Sequence, residues 1–233
     1  ALVSPNNPAG VEYPESLISD FFTLAQSHKI ALILDETYRD FDSRPQPPHR
    51  LFQNLNWSDT LVQLYSFSKA YRLTGHRVGA LVASQPRLGE IEKFLDSIAI
   101  CAPQLGQHAA LWAMQNLRGW LAAERLEILD RRRAISQGFN TLKPEGWQLL
   151  GLGAYFAYFR HPFALPSDQL AQRMVRDIGV LALPGTMFTP PGDPRGETEI
   201  RVAFANIDKT EIENLFARLQ SLRLSLAQPV SDA

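Results

Sequence analysis

Lys69 stands in the run Ser66-Phe67-Ser68-Lys69, at the exit of an apolar stretch from Leu61 to Tyr65, and Arg77 follows between Gly75 and Gly79. A lysine at the end of a buried strand is costly unless its ammonium has a task. With its charge suppressed, the amine attacks aldehydes and can form a Schiff base with a carbonyl cofactor. Ser66 and Arg77 bring a hydroxyl and a guanidinium, groups suited to phosphate oxygens. Gly75 and Gly79 allow backbone to come close. Taken alone, these letters also fit a strand followed by a solvated turn.

Two other apolar runs end in polar groups. Ala1 to Val3 leads into Asn7, and Ile30 to Leu34 leads into Asp35 and Tyr38. If the three strands are neighbours, their ends converge on one crevice, where ligands bind in open α/β sheets. Each group meets a need of pyridoxal phosphate chemistry. Asp35 keeps the ring nitrogen protonated. Tyr38 and Asn7 can donate hydrogen bonds to the ring's phenolic oxygen. Lys69 holds the aldehyde carbon and, once displaced, moves a proton between the substrate Cα and the cofactor. Ser66 and Arg77 take the phosphate.

The elements that must position these groups follow from periodicity. Pro14 opens a helix with Leu17, Ile18, Phe21, Leu24 and Ala25 on one face. Ile30 to Leu34 reads as a strand buried on both faces. The Pro-rich segment Arg44 to Arg50 is a loop, and Leu61 to Tyr65 and Val78 to Ala83 are strands. The alternation argues for a mainly parallel α/β sheet. Helices follow through Leu88 to Ile98, Leu105 to Leu117 and, after an interruption at Gly119, Trp120 to Leu142. Strands are expected at Trp147 to Leu150, Tyr155 to Phe159, Val180 to Leu183 and Ile200 to Phe204. Ser167 is expected to cap a helix closed by Gly179, and Asp208-Lys209-Thr210-Glu211 opens another as a capping box. Gln228 to Ala233 reads as a frayed tail.

Four segments in register resemble the class I/II aminotransferases, a fold-type I family of pyridoxal-phosphate enzymes: Pro5-Asn6-Asn7-Pro8-Ala9-Gly10, Leu34-Asp35-Glu36-Thr37-Tyr38, Ser66 to Lys69 with Gly75 to Gly79, and Arg201-Val202-Ala203-Phe204. Lone motifs are weak; four in order are specific. The resemblance implies that Arg201, with Asn7, grips the substrate α-carboxylate through its planar fork. It implies a transaminase acting on an amino acid and a 2-oxo acid, a homodimer in the full-length protein, and a chain equivalent to the C-terminal part of such an enzyme. Residues 1–125 are then half of the cofactor-binding large domain, and residues 126–233 a long linking helix with a small α+β domain. A chain of that extent is expected to be inactive alone and to associate through an uncovered sheet. A carbon–sulfur β-lyase, or a non-catalytic effector-binding module of a regulator, would share the motifs. Ala9 stands where the family usually has threonine, and Thr189 where glycine is common.

Composition narrows the partners. The 233 residues carry a formal charge of -1, with 45% hydrophobic residues and one cysteine, Cys101. No field of either sign points to nucleic acid or a membrane surface. An internal disulfide is impossible, no Cys-rich metal site exists, and no apolar run reaches membrane-spanning length. Arg131-Arg132-Arg133 reads as a solvated helix face in a balanced chain. The expected location is cytoplasmic.

Overall fold

A computed structural model describes residues 1–227. The expected frayed tail, Gln228 to Ala233, lies outside the described residues. The chain forms two units: Ala1–Asn6 with Glu12–Leu126, and Asn7–Val11 with the chain from Glu127 onward.

In the first unit, β1 (Leu2–Val3), β2 (Leu32–Asp35), β3 (Leu61–Ser66) and β4 (Gly79–Val82) form one sheet in that order. The first three are parallel, with Val3 opposite Asp35 and Leu34 opposite Gln63. β4 runs antiparallel to β3. The segment joining them carries no crossover helix, which a parallel return would require. The helix α1 (Glu15–Ser27) places Ile18, Phe22 and Ala25 against Leu32, Leu34, Leu51 and Leu61. The apolar run through Ile30 is not buried on both faces: Ile30 is 58% exposed and Ile33 39%. Alternation along β2 turns Leu32 and Leu34 toward α1 and Ile33 away from it, so an unbroken apolar run here covers one face only.

Two helices follow, α2 (Gln85–Ile98) and α3 (Gln104–Asn116). Ala110 of α3 packs with Phe67 and Val78, whereas no residue of α2 is buried among the described residues. The long α4 (Arg118–Phe139) starts one residue before Gly119, which therefore lies in its first turn and does not interrupt it. Near that end, Arg125 donates to the carbonyls of Asp42, Ser43 and Arg44 at 3.0, 3.1 and 2.9 Å, tying α4 to the Pro-rich loop.

The second unit holds an antiparallel sheet in the order β5 (Gln148–Gly153), β6 (Phe156–Arg160), β8 (Glu199–Ala203), β7 (Leu183–Pro184). Its helices are α5 (Ser167–Ile178) and α6 (Lys209–Gln220). Phe139 and Phe159 stack at 5.6 Å, and Leu170, Met174, Ile212 and Leu219 are fully buried. Gly138 makes room for the Phe216 ring, which would stand 2.2 Å from a Cβ at that position. Asp208 and Glu211 close the expected capping box. Ser167 is not the cap of α5; Pro166 holds that position, and the buried Ser167 hydroxyl instead donates to the Gly196 carbonyl at 2.6 Å. Of the arginine run, Arg133 is exposed beside Asp130, but Arg131 is largely covered, pairing with Glu127 and donating to the Ala205 carbonyl. Among the described residues, no helix is long and apolar enough to cross a membrane.

His161 sets an acid limit on this unit. It is 4% exposed, its Nδ1 accepts the Phe163 N–H at 3.3 Å, and its Nε2 faces the Glu197 carbonyl at 3.3 Å, so the geometry assigns a neutral ring. Burial lowers its pKa to about 4, only partly offset by the Glu197 carbonyl. The unfolded chain binds the proton near pH 6.5 and the folded one only near pH 4, so stability is full above the first value and falls as pH drops toward the second. The loss is about 3 kcal/mol over that window. Urea denaturation at pH 7.5 and 4.5 checks it: wild type is expected to lose that much more than His161→Gln, and equal losses would contradict the assignment.

Candidate active site

The first group of site residues sits at the carboxyl edge of the parallel strands. Asp35 closes β2, opposite Leu64 of β3, and Ser66 closes β3. Paired residues share a face and the side-chain period is two. Asp35, Leu64 and Ser66 therefore point to the side away from α1. Asp35 is half-buried, and its Oδ1 accepts the Thr37 N–H at 2.9 Å, which holds the turn leading to Tyr38. Tyr38 is 5% exposed.

After β3 the chain folds into a tight turn. Ser66 Oγ accepts the Ser68 N–H at 3.3 Å, the Arg72 N–H donates to the Lys69 carbonyl at 3.1 Å, and Thr74 Oγ1 donates to the Ser68 carbonyl at 2.8 Å. Lys69, half-buried, is carried on this turn. Arg77 is exposed, donates to the Thr74 carbonyl at 2.8 Å and holds φ at 50°, in the left-handed region. A non-glycine residue there stores strain that tends to mark functional turns. Gly79 is required by the β3–β4 pairing, since a Cβ would stand 2.8 Å from the Tyr65 carbonyl oxygen. Gly75 is not: a Cβ there would meet nothing within 4 Å.

The second group lies wholly in the other unit. Arg201, on β8, donates from Nη1 to Asn7 Oδ1 at 2.7 Å. Its guanidinium lies between the Phe156 and Phe188 rings, 4.7 Å from each centroid. With Oδ1 accepting, the Asn7 amide has its NH2 as donor. Arg201 also lines a cavity of about 560 Å³ together with Leu183, Asn206 and Arg218. Thr189, at the position where the family tends to glycine, donates to the Gly185 carbonyl at 3.3 Å.

The structure thus places Asp35, Tyr38, Ser66, Lys69 and Arg77 in the first unit and Asn7 with Arg201 in the second. Sequence reasoning missed the two phenylalanines that hold Arg201; Phe188 lies in a loop without periodic signal, and Phe156 reads simply as a core strand residue. It also missed a short Tyr65–Asp40 hydrogen bond of 2.5 Å. Burial and the Asp40 charge push the Tyr65 phenol far up, and burial also raises Asp40.

Comparison with known proteins identifies the family. The sequence model of the family described as aminotransferase class I and II matches residues 1–219. An aromatic aminotransferase of Arabidopsis thaliana is 28% identical over 94% of this chain and 54% of its own length. An arginine–pyruvate transaminase of Pseudomonas aeruginosa is 30% identical over 82% of this chain and 48% of its own length. An aminotransferase from Staphylococcus aureus superposes with a TM-score of 0.81 at 20% identity, covering 94% of this chain and 56% of that one. A methionine aminotransferase from Escherichia coli gives 0.82 at 22%, covering 94% and 57%. These last two share the fold. The chain spans about half the length of the curated relatives it matches. With a family match over residues 1–219, nearly all of the described chain, the chain belongs to the class I and II aminotransferases.

Proposed function

We propose that the protein is a pyridoxal-phosphate-dependent aminotransferase, moving an amino group between an amino acid and a 2-oxo acid. The observation that carries this reading is the placement of Asp35 and Ser66 on one face of adjacent parallel strand ends, with Lys69 on the turn that follows. The donor set fits the cofactor: a carboxylate for the ring nitrogen, a hydroxyl and a guanidinium for the phosphate, a phenol for the ring oxygen and an amine for the aldehyde.

When bound, pyridoxal phosphate supplies an electron sink for the charge left on the substrate Cα. Asp35 holds the proton on the ring nitrogen. Ser66 Oγ and Arg77 fix the phosphate, and Tyr38 donates to the ring oxygen. Lys69 Nζ would anchor the cofactor and would serve as the base for the substrate Cα proton. Arg201, oriented by Asn7, takes the substrate α-carboxylate. A cytoplasmic homodimer completes the reading. The exposed apolar side chains Phe94, Ile98, Leu105 and Trp112 on α2 and α3 support the dimer.

Asp35→Ala, made in the full-length protein, tests the proposal. Removing the ring nitrogen's partner is expected to lower kcat by about 10²-fold or more while some cofactor still binds. Steady-state kinetics beside a visible-absorbance titration of cofactor check this. Near wild-type turnover in that variant would overturn the role of Asp35.

A further inference from the structure

Behind Asp35 lies a buried carboxylate that the chemistry above does not use. Alternation places Leu32, Leu34 and Glu36 on the α1 side of the sheet, opposite the face of Asp35. Glu36 is 1% exposed. Its Oε2 accepts from Gln63 Nε2, stands 3.2 Å from Arg39 Nη1 and 3.3 Å from His49 Nε2. His49, 6% exposed, accepts the Leu51 N–H on Nδ1 at 3.2 Å, which leaves its ring proton on Nε2, facing Glu36. The Glu36 backbone is used as well: its N–H donates to the Leu64 carbonyl at 2.9 Å and its carbonyl accepts from Arg39 N–H at 3.0 Å. One residue thus joins β2, β3, the turn after β2 and the Pro-rich loop. Burial by itself pushes this carboxyl up, but His49, the Arg39 charge and the Gln63 amide together hold it below the usual range. A buried charge in such a place costs desolvation that an apolar side chain would avoid, so it is best explained by the geometry it imposes.

We propose that Glu36 is a positioning residue, whose carboxylate ties the end of β2 to Gln63 and His49 and so fixes the turn from Asp35 to Tyr38, giving the Asp35 carboxylate a single orientation. The inference rests on the role given to Asp35 above. Asp35 Oδ1 reports on the turn through its hydrogen bond from Thr37 N–H.

The test is Glu36→Gln, which keeps shape and removes charge, made in the natural-length protein. Hydrogen exchange at the Thr37 amide, measured without cofactor, is expected to quicken about tenfold or more. With cofactor, kcat is expected to fall about 10- to 100-fold. KM for the amino acid is expected to stay within about threefold, because Arg201 and Asn7 belong to the other unit. If Glu36→Gln does not fold, His49→Phe keeps the ring and removes its N–H, and the same split is expected at smaller size. Wild-type Thr37 exchange and kcat in a folded variant would overturn the proposal, as would a loss confined to thermal stability. Asp35→Ala separates the two readings: intact turnover there defeats the function given to Asp35, whereas the Thr37 exchange needs neither cofactor nor turnover.

Discussion

Replacing Lys69 by alanine in the full-length protein is expected to abolish transamination, with a loss of about 10⁴-fold or more in kcat. Two tasks disappear together. On the proposed reading the variant lacks the amine that would anchor the aldehyde and the base that would move the Cα proton; proton transfer alone contributes about 10²–10⁴-fold. Lys69 is suited to both, since it sits half-buried on the turn after β3, two strand ends from the sheet edge formed by β1. The fold should survive, because the turn is held by Ser66, Ser68, Lys69 and Thr74 through bonds that use no lysine side chain. Borohydride reduction of the cofactor-loaded wild type, followed by peptide mass spectrometry, locates the anchor directly. Label on the peptide of Lys29, Lys93 or Lys143 in place of Lys69 would refute the assignment.

The second large effect is at Arg201. Arg201→Lys keeps the positive charge but loses the plane held between Phe156 and Phe188 and the fork that bonds Asn7. Each charge-assisted hydrogen bond to a carboxylate is worth about 1.5–3 kcal/mol. Loss of the bidentate pair therefore predicts a fall of about 10²-fold or more in kcat/KM for amino acids. Cofactor affinity is expected to change little, because none of the groups assigned to the cofactor's phosphate or ring nitrogen lies on β8. The control is wild type with an amino acid and the amine that lacks its carboxylate. Equal activity toward the two would count against a carboxylate role for Arg201.

Much of the architecture was legible because its signals are local. Capping boxes and left-handed helix ends are written within a few residues, and Asp208 with Glu211 and Gly179 behave as their types demand. The strand exits at Asp35 and Ser66 were readable for the same reason: a short β-rich run stops where polar residues begin. Ser167 shows the limit of that logic. Its type suits a cap, but a carbonyl from residue 196, distant in sequence, claims its hydroxyl. The strand of β2 shows another, since an apolar run does not say which of its faces a helix will cover.

By itself the sequence offered candidates for the chemistry and set Asp35 and Ser66 at strand exits, because residue type and short-range periodicity are properties of adjacent positions. Only the tertiary structure decided what surrounds them. The pairing of β2 with β3 brings Gln63 to Glu36, the Pro-rich loop returns His49 to the same carboxylate, and β6 and a distant loop close on Arg201 as two aromatic walls. A buried charge or guanidinium takes its partners from whatever the fold packs beside it, and those partners lie outside the range of any local pattern.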